Sequence, residues 1–168
     1  KAVREDGIAE VRFEYDARGN VTKALYFGVN GKPKGDVDGI AVIRWEHDAR
    51  GNVTKVSNFG LDGKPTANKD GVFEERYEYG PDGKEKKRSL MYAVAGVKST
   101  REDGIAEERR EYDGQGNVTK LSYFDMDGKP KADKEGVFEK RHEYGQGGKM
   151  KKMSLIYAVA DAKAVRED

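Results

Sequence analysis

The chain has 168 residues, with 32 Lys and Arg against 31 Asp and Glu for a net charge of +1, and no cysteine. That excludes disulfide frameworks and thiolate metal sites, and the balanced charge argues against a disordered tail or a nucleic-acid-binding arm. Val, Leu, Ile and Phe make only about 18% of the chain while glycine reaches 21 residues, so a thin core and many turns are expected.

Self-similarity organises the chain. Residues 1–6 read as the tail of a preceding unit. Gly-Ile or Gly-Val then opens an alternating stretch at Gly7, Gly39, Gly71, Gly104 and Gly136, giving units 7–38, 39–70, 71–103, 104–135 and 136–168. Units one, two and four (type A) carry Gly-Asn-Val-Thr-Lys from Gly19, Gly51 and Gly116, and Gly-Lys-Pro from Gly31, Gly63 and Gly128. Units three and five (type B) carry Ser-Leu-Met-Tyr-Ala-Val-Ala from Ser89 and Ser-Leu-Ile-Tyr-Ala-Val-Ala from Ser154.

Within a unit, apolar residues alternate with charge at period two, the pattern of a half-buried strand. Unit one sets Ala9, Val11, Phe13 and Tyr15 on one face, and the same frame gives Ala41, Ile43, Trp45 and His47, then Phe73, Tyr77 and Tyr79, then Phe138 and Tyr144. This face is expected to carry the core. A turn follows at Asp16 to Gly19, Asp48 to Gly51, Gly80 to Gly83 and Asp113 to Gly116, with Gly suited to the left-handed position. Closing the hairpin predicts Tyr15 opposite Val21, Phe13 opposite Lys23, Val11 opposite Leu25 and Ala9 opposite Phe27. The recurring Lys23, Lys55, Lys87, Lys120 and Lys152 then meets an aromatic ring in the first three units. Against Arg110 and His142 that account fails. Asn20, Asn52 and Asn117 read as turn residues tolerant of unusual backbone angles, and Asn30 to Asp38 reads as a loop. The expected fold is all-β: a tandem antiparallel β-hairpin repeat array of about ten strands in an elongated or spiral sheet. The alternative is a β-solenoid with one coil per unit.

Phe13-Glu14-Tyr15-Asp16-Ala17-Arg18-Gly19-Asn20-Val21-Thr22-Lys23 resembles the YD repeats of RHS-type bacterial proteins, whose hairpins carry Tyr-Asp-x-x-Gly. That core stands at Tyr15 to Gly19 and Tyr112 to Gly116; His47 replaces Tyr in unit two, and Gly80 and Gly145 replace Asp in the B units. The likeness covers about ten residues per unit, and the Gly-Lys-Pro connection departs from it. It implies large antiparallel sheets in secreted or surface-borne proteins, without catalysis by the repeats. Tyr123 to Lys129 is more distantly similar to streptococcal glucan- and choline-binding repeats and lacks their Trp.

Glu-x-Arg-x-Glu recurs as Glu10/Arg12/Glu14, Glu74/Arg76/Glu78, Glu107/Arg109/Glu111 and Glu139/Arg141/Glu143, and as Arg44/Glu46 after Val42 in unit two. Strands stacked in order predict a row of five arginines flanked by carboxylates: a solvated, stitched face or an interaction face for a partner or a second copy. Lys84, Lys86, Lys87 and Arg88, with Lys149, Lys151 and Lys152, form basic hairpin tips that could meet an acidic polymer. The acidic loops match no calcium motif, and no metal or cofactor is expected. Catalysis is poorly served: no Ser sits in a nucleophile elbow, no Gly-rich phosphate loop precedes a helix, and His47 and His142 substitute for aromatic rungs.

The function expected is therefore a non-catalytic structural or scaffold repeat module of a longer secreted or bacterial surface protein, a stalk, shell or fibre segment that self-associates end to end. Its partners are adjacent repeats or further copies of the same chain. The alternative binds carbohydrate or another acidic polymer through exposed Tyr26 and Tyr123 and the basic tips. Nucleic acid and membrane insertion are not expected, since no apolar run approaches the ~18 residues of a spanning helix. Lys1 to Asp6 is identical to Lys163 to Asp168, so a segment of a longer array is expected.

Overall fold

The computed structural model describes residues 5–92 and 101–157. Among these residues ten strands form one antiparallel sheet in which spatial order follows chain order: β1 (Ile8–Tyr15), β2 (Val21–Gly28), β3 (Val42–His47), β4 (Val53–Phe59), β5 (Glu74–Tyr79), β6 (Glu85–Met91), β7 (Glu107–Tyr112), β8 (Val118–Phe124), β9 (Val137–Tyr144) and β10 (Met150–Tyr157). Among the described residues the sheet does not close into a barrel, and β1 and β10 are its edges. A solenoid would pair strands of successive units in parallel, whereas every pairing here is antiparallel between neighbours in sequence. The matching terminal hexapeptides fall almost wholly outside the described residues, as do residues 93–100 and 158–168 of the B units.

One five-residue turn is used at both ends of the strands. At the first tip the Gly19 N–H donates to Asp16 O (3.1 Å), the Asp16 N–H to Asn20 O (2.9 Å), and Asp16 Oδ1 accepts from the N–H of Arg18 and Asn20. The same bonds recur around Asp36 and Asn68 at the opposite end, inside the connections expected to be plain loops. The fourth position takes φ of +86° at Gly19 and +82° at Gly39, a region open to glycine at little cost. Asn20 has another role: no described non-glycine residue has positive φ, and its Nδ2 instead donates to Asp16 Oδ2 (2.8 Å), a clip repeated by Asn52 and Asn117. The Gly-Lys-Pro connections also fold back on the sheet, with Pro33, Pro65 and Pro130 bridging Phe27, Phe59 and Phe124.

The hairpin register differs from the expected one by a bulge. Tyr15 faces Val21 as expected, but the next pair is Glu14 with Lys23, then Phe13 with Ala24, Arg12 with Leu25 and Val11 with Tyr26. Thr22 is the extra residue, and the bulge inverts the parity of all that follows on β2. Thr54, Lys86, Thr119 and Lys151 occupy the same place in the other hairpins. The recurring lysine therefore meets a glutamate, not a ring.

Of the face expected to carry the core, Ala41 and Phe73 are buried, but most of it is not. Phe13 is 50% exposed and Trp45 only half-buried, because among the described residues no second layer covers this face of the sheet around them. The large buried hydrophobic residues are the first after each unit's glycine, Ile8, Ile40, Val72, Ile105 and Val137, joined by Phe27, Phe73, Leu90, Tyr92 and Tyr123. They run as a ridge along the hairpin bases, where the connections fold over the strands. That ridge is the main apolar contribution to stability, and each fully buried aliphatic side chain supplies about 1.5–3 kcal/mol.

Candidate functional site: the charged sheet face

Alternation places every Glu-x-Arg-x-Glu motif on one face. Arg12 Nε donates to Glu10 Oε1 (2.6 Å) and its guanidinium lies 4.0 Å from the centre of the Phe27 ring. Arg109 donates twice to Glu107 (2.6 and 2.8 Å) and lies 3.8 Å over Phe124. Arg76 with Glu74 (2.7 Å) and Arg141 with Glu139 (2.6 Å) repeat the ion pair, and Arg44, preceded by Val42, keeps only its ring, Phe59, at 4.8 Å. Four of the five arginines are thus held by a carboxylate of their own strand, and Arg12, Arg44 and Arg109 by a π face from the next.

The lysines complete the pattern. Lys23, Lys87 and Lys152 bond Glu14 (2.9 Å), Glu78 (2.7 Å) and Glu143 (3.0 Å). Lys55 lies between Glu46 (3.2 Å) and Glu74 (3.4 Å), and Lys120 between Glu111 (3.3 Å) and Glu139 (3.5 Å). Burial is the largest single effect and would raise the Glu107 and Glu139 carboxyls, but the hydrogen bonds and charge of Arg109 with Ser89, and of Arg141 with Lys120, together hold both below the usual range. Lys55 is lifted above its ordinary value by Glu46 and Glu74 against its own burial.

The five arginines do not form one row. Arg76 and Arg109 share a ladder rung through Ser89, but Arg44 is level with Lys23 and Arg141 with Lys120. Each A-type junction therefore advances the next hairpin by two residues, ~7 Å at 3.4 Å per residue. The B-type junction between β6 and β7 does not. The hairpin tips form a staircase clasped by basic side chains: Arg18 donates to Ala49 O (2.8 Å), Arg50 to Pro81 O (2.9 Å) and Lys84 to Gly114 O (2.6 Å).

The basic tip residues are not gathered into one cationic patch. Lys87 lies on the charged face, whereas Arg88 lies on the other, bonded twice to Glu85 (2.9 and 2.8 Å) and 4.9 Å over Tyr77. Lys86, Lys149 and Lys151 are exposed. Of the two rings expected to be exposed for carbohydrate, Tyr26 is half-buried and Tyr123 is buried, 6% exposed. A groove of about 450 Å³ between the second and third tips, lined by Asp48, Arg50, Tyr77 and Tyr79, is open to solvent. Among the described residues no group of three His, Asp or Glu is placed to hold a metal ion.

Sequence reasoning missed one cluster. On the opposite face Glu108, 6% exposed, accepts from Arg110 Nε (2.8 Å) and lies 3.7 Å from Arg101, which binds Asp103 and stacks near Tyr92 and Tyr123. Burial first, and Glu108 second, push the Tyr123 hydroxyl up to about 12. The signal was available: Glu108 and Arg110 stand where unit one has Val11 and Phe13.

No protein-family model and no curated protein matches the chain.

Proposed function

We propose that the chain is a non-catalytic structural repeat module of a longer secreted or surface protein, a stalk, shell or fibre segment whose repeats supply length. The observation that carries this reading is the neighbour-only bonding of ten consecutive strands. The compensation of the charged face inside the repeats supports it as well, since a face whose arginines are already held by glutamates offers little to an acidic polymer. The secreted or bacterial-surface location rests on the likeness to YD repeats.

Deletion of residues 39–70 tests it, because Asp38 then leads into Gly71 as it now leads into Gly39. In a spacer with near-additive energetics the shortened chain folds, keeps its strand signal in circular dichroism, and shows a denaturant slope reduced in proportion to its length. Global unfolding on loss of one unit overturns the modular reading. Saturable binding of an anionic glycan at physiological salt, lost in Lys149→Ala/Lys151→Ala, establishes the polymer-binding alternative.

A further inference from the structure

We propose that the two edges of the sheet are complementary, so that β1 of a second copy adds to β10 in the register that β7 takes on β6. The proposal rests on the structural reading above and names the partner. The template is internal. β6 and β10 are the second strands of the two B units, and β7 and β1 are both first strands of A units. Where they meet inside the chain, Lys87 pairs with Glu111, Arg88 with Arg110, Ser89 with Arg109, Leu90 with Glu108 and Met91 with Glu107. Transferred to the edges, that register pairs Lys152 with Glu14, Met153 with Phe13, Ser154 with Arg12, Leu155 with Val11 and Ile156 with Glu10.

The edge pairing is the better matched of the two. The internal junction sets Arg88 against Arg110 and Leu90 against Glu108, arrangements that need Glu85 and Arg101 to compensate them. The edge pairing sets Met153 on Phe13 and Leu155 on Val11, and in the single chain Met153, Phe13 and Leu155 are 53%, 50% and 36% exposed. Lys152, bonded to Glu143, would stand opposite Glu14 as Lys87, bonded to Glu78, stands opposite Glu111. Its side chain is 60% exposed, against 31% for Lys55 and Lys87 and 35% for Lys120, which have a strand on both sides. The contact is head to tail, so it propagates rather than closing on a two-fold axis.

Sedimentation velocity across a concentration series, with a register-specific cross-link, tests this. The wild-type chain grows in mass with concentration. Lys152→Glu and Glu14→Lys each suppress that growth by tenfold or more in concentration, and an equimolar mixture of the two restores it, since each edge then meets an opposite charge. Because the chain has no cysteine, Arg12→Cys/Ser154→Cys forms an intermolecular disulfide ladder under mild oxidation. These residues match Arg109 and Ser89, a directly opposed pair within disulfide reach. The control Arg12→Cys/Met153→Cys, one residue out of register, does not. A chain that stays monomeric throughout the series overturns the proposal and leaves the unit-deletion test untouched. Association that ignores both charge reversals, or cross-linking equal in the two cysteine pairs, also overturns it. Circular dichroism on each variant separates lost association from lost folding.

Discussion

At the scale of single residues, the tips separate two uses of glycine. Gly116 closes its turn at φ +87°, and an added Cβ there would meet nothing within 4 Å, so any penalty is conformational. Gly114, two residues earlier, stands where Ala17, Ala49 and Pro81 stand in the other tips, also in open space but without positive φ. Gly116→Ala is expected to cost about 1–2 kcal/mol, and Gly114→Ala to stabilise by about 0.4–1 kcal/mol by restricting the unfolded chain. Urea denaturation of both variants measures the difference; equal effects would mean that the turn does not hold its left-handed position in solution. The clip from Asn20 to Asp16 is of the same local kind. Its hydrogen bonds, the side-chain one first, hold the Asp16 carboxyl below the usual range, so that part of stability is present above pH ~4 and lost as pH falls further.

At the scale of strands and turns, the hairpins, their order and their tips were legible because the period-two pattern and the Asp-x-x-Gly signature are both local. The bulge was not, since Thr22 is β-branched and reads as an ordinary strand residue. Its omission shifted Lys23 from Glu14 to Phe13. The core ridge escaped for a different reason: a face search looks for alternating apolar residues, and Ile8, Ile40 and Val72 lie at strand entrances, buried by connections whose path depends on Pro33 and its equivalents. The row of arginines failed because rungs between hairpins are set by the junction, not by either strand. The Glu108 cluster yields an element-level prediction. Glu108→Ala leaves Arg110 without its carboxylate in a half-buried site and is expected to cost about 1–3 kcal/mol. Glu108→Val/Arg110→Phe, which installs the unit-one pair, should cost less, because a buried ion pair can be replaced by apolar groups at little loss. Denaturant midpoints decide it: a double variant less stable than the single one would mean that the charge pair contributes specifically to this junction.

At the scale of the whole molecule, stability is expected to fail from the alkaline side. Burial raises Tyr77, Tyr92 and Tyr123, with Glu75 adding to the first and Glu108 to the other two, and Tyr123 reaches about 12. A group whose proton is held more tightly in the folded state contributes fully below its unfolded value, ~10 for tyrosine, and loses that contribution as pH rises toward the folded value. Lys55, raised by Glu46 and Glu74, acts with the same sign. The melting temperature should therefore fall between pH 10 and about 12, with tyrosinate absorbance appearing late and together with unfolding; a flat melting curve across that interval would contradict the burial of these rings. The two-residue advance at A-type junctions, absent at the B-type one, carries a larger consequence. Repetition of A units alone would slant the ribbon without limit, each hairpin offset like bricks laid on a diagonal, while a B unit restores square stacking for one course. The order in which the two unit types are spelled along the chain thus encodes the obliquity of the sheet, so that outline is written in sequence syntax rather than in the chemistry of any one strand.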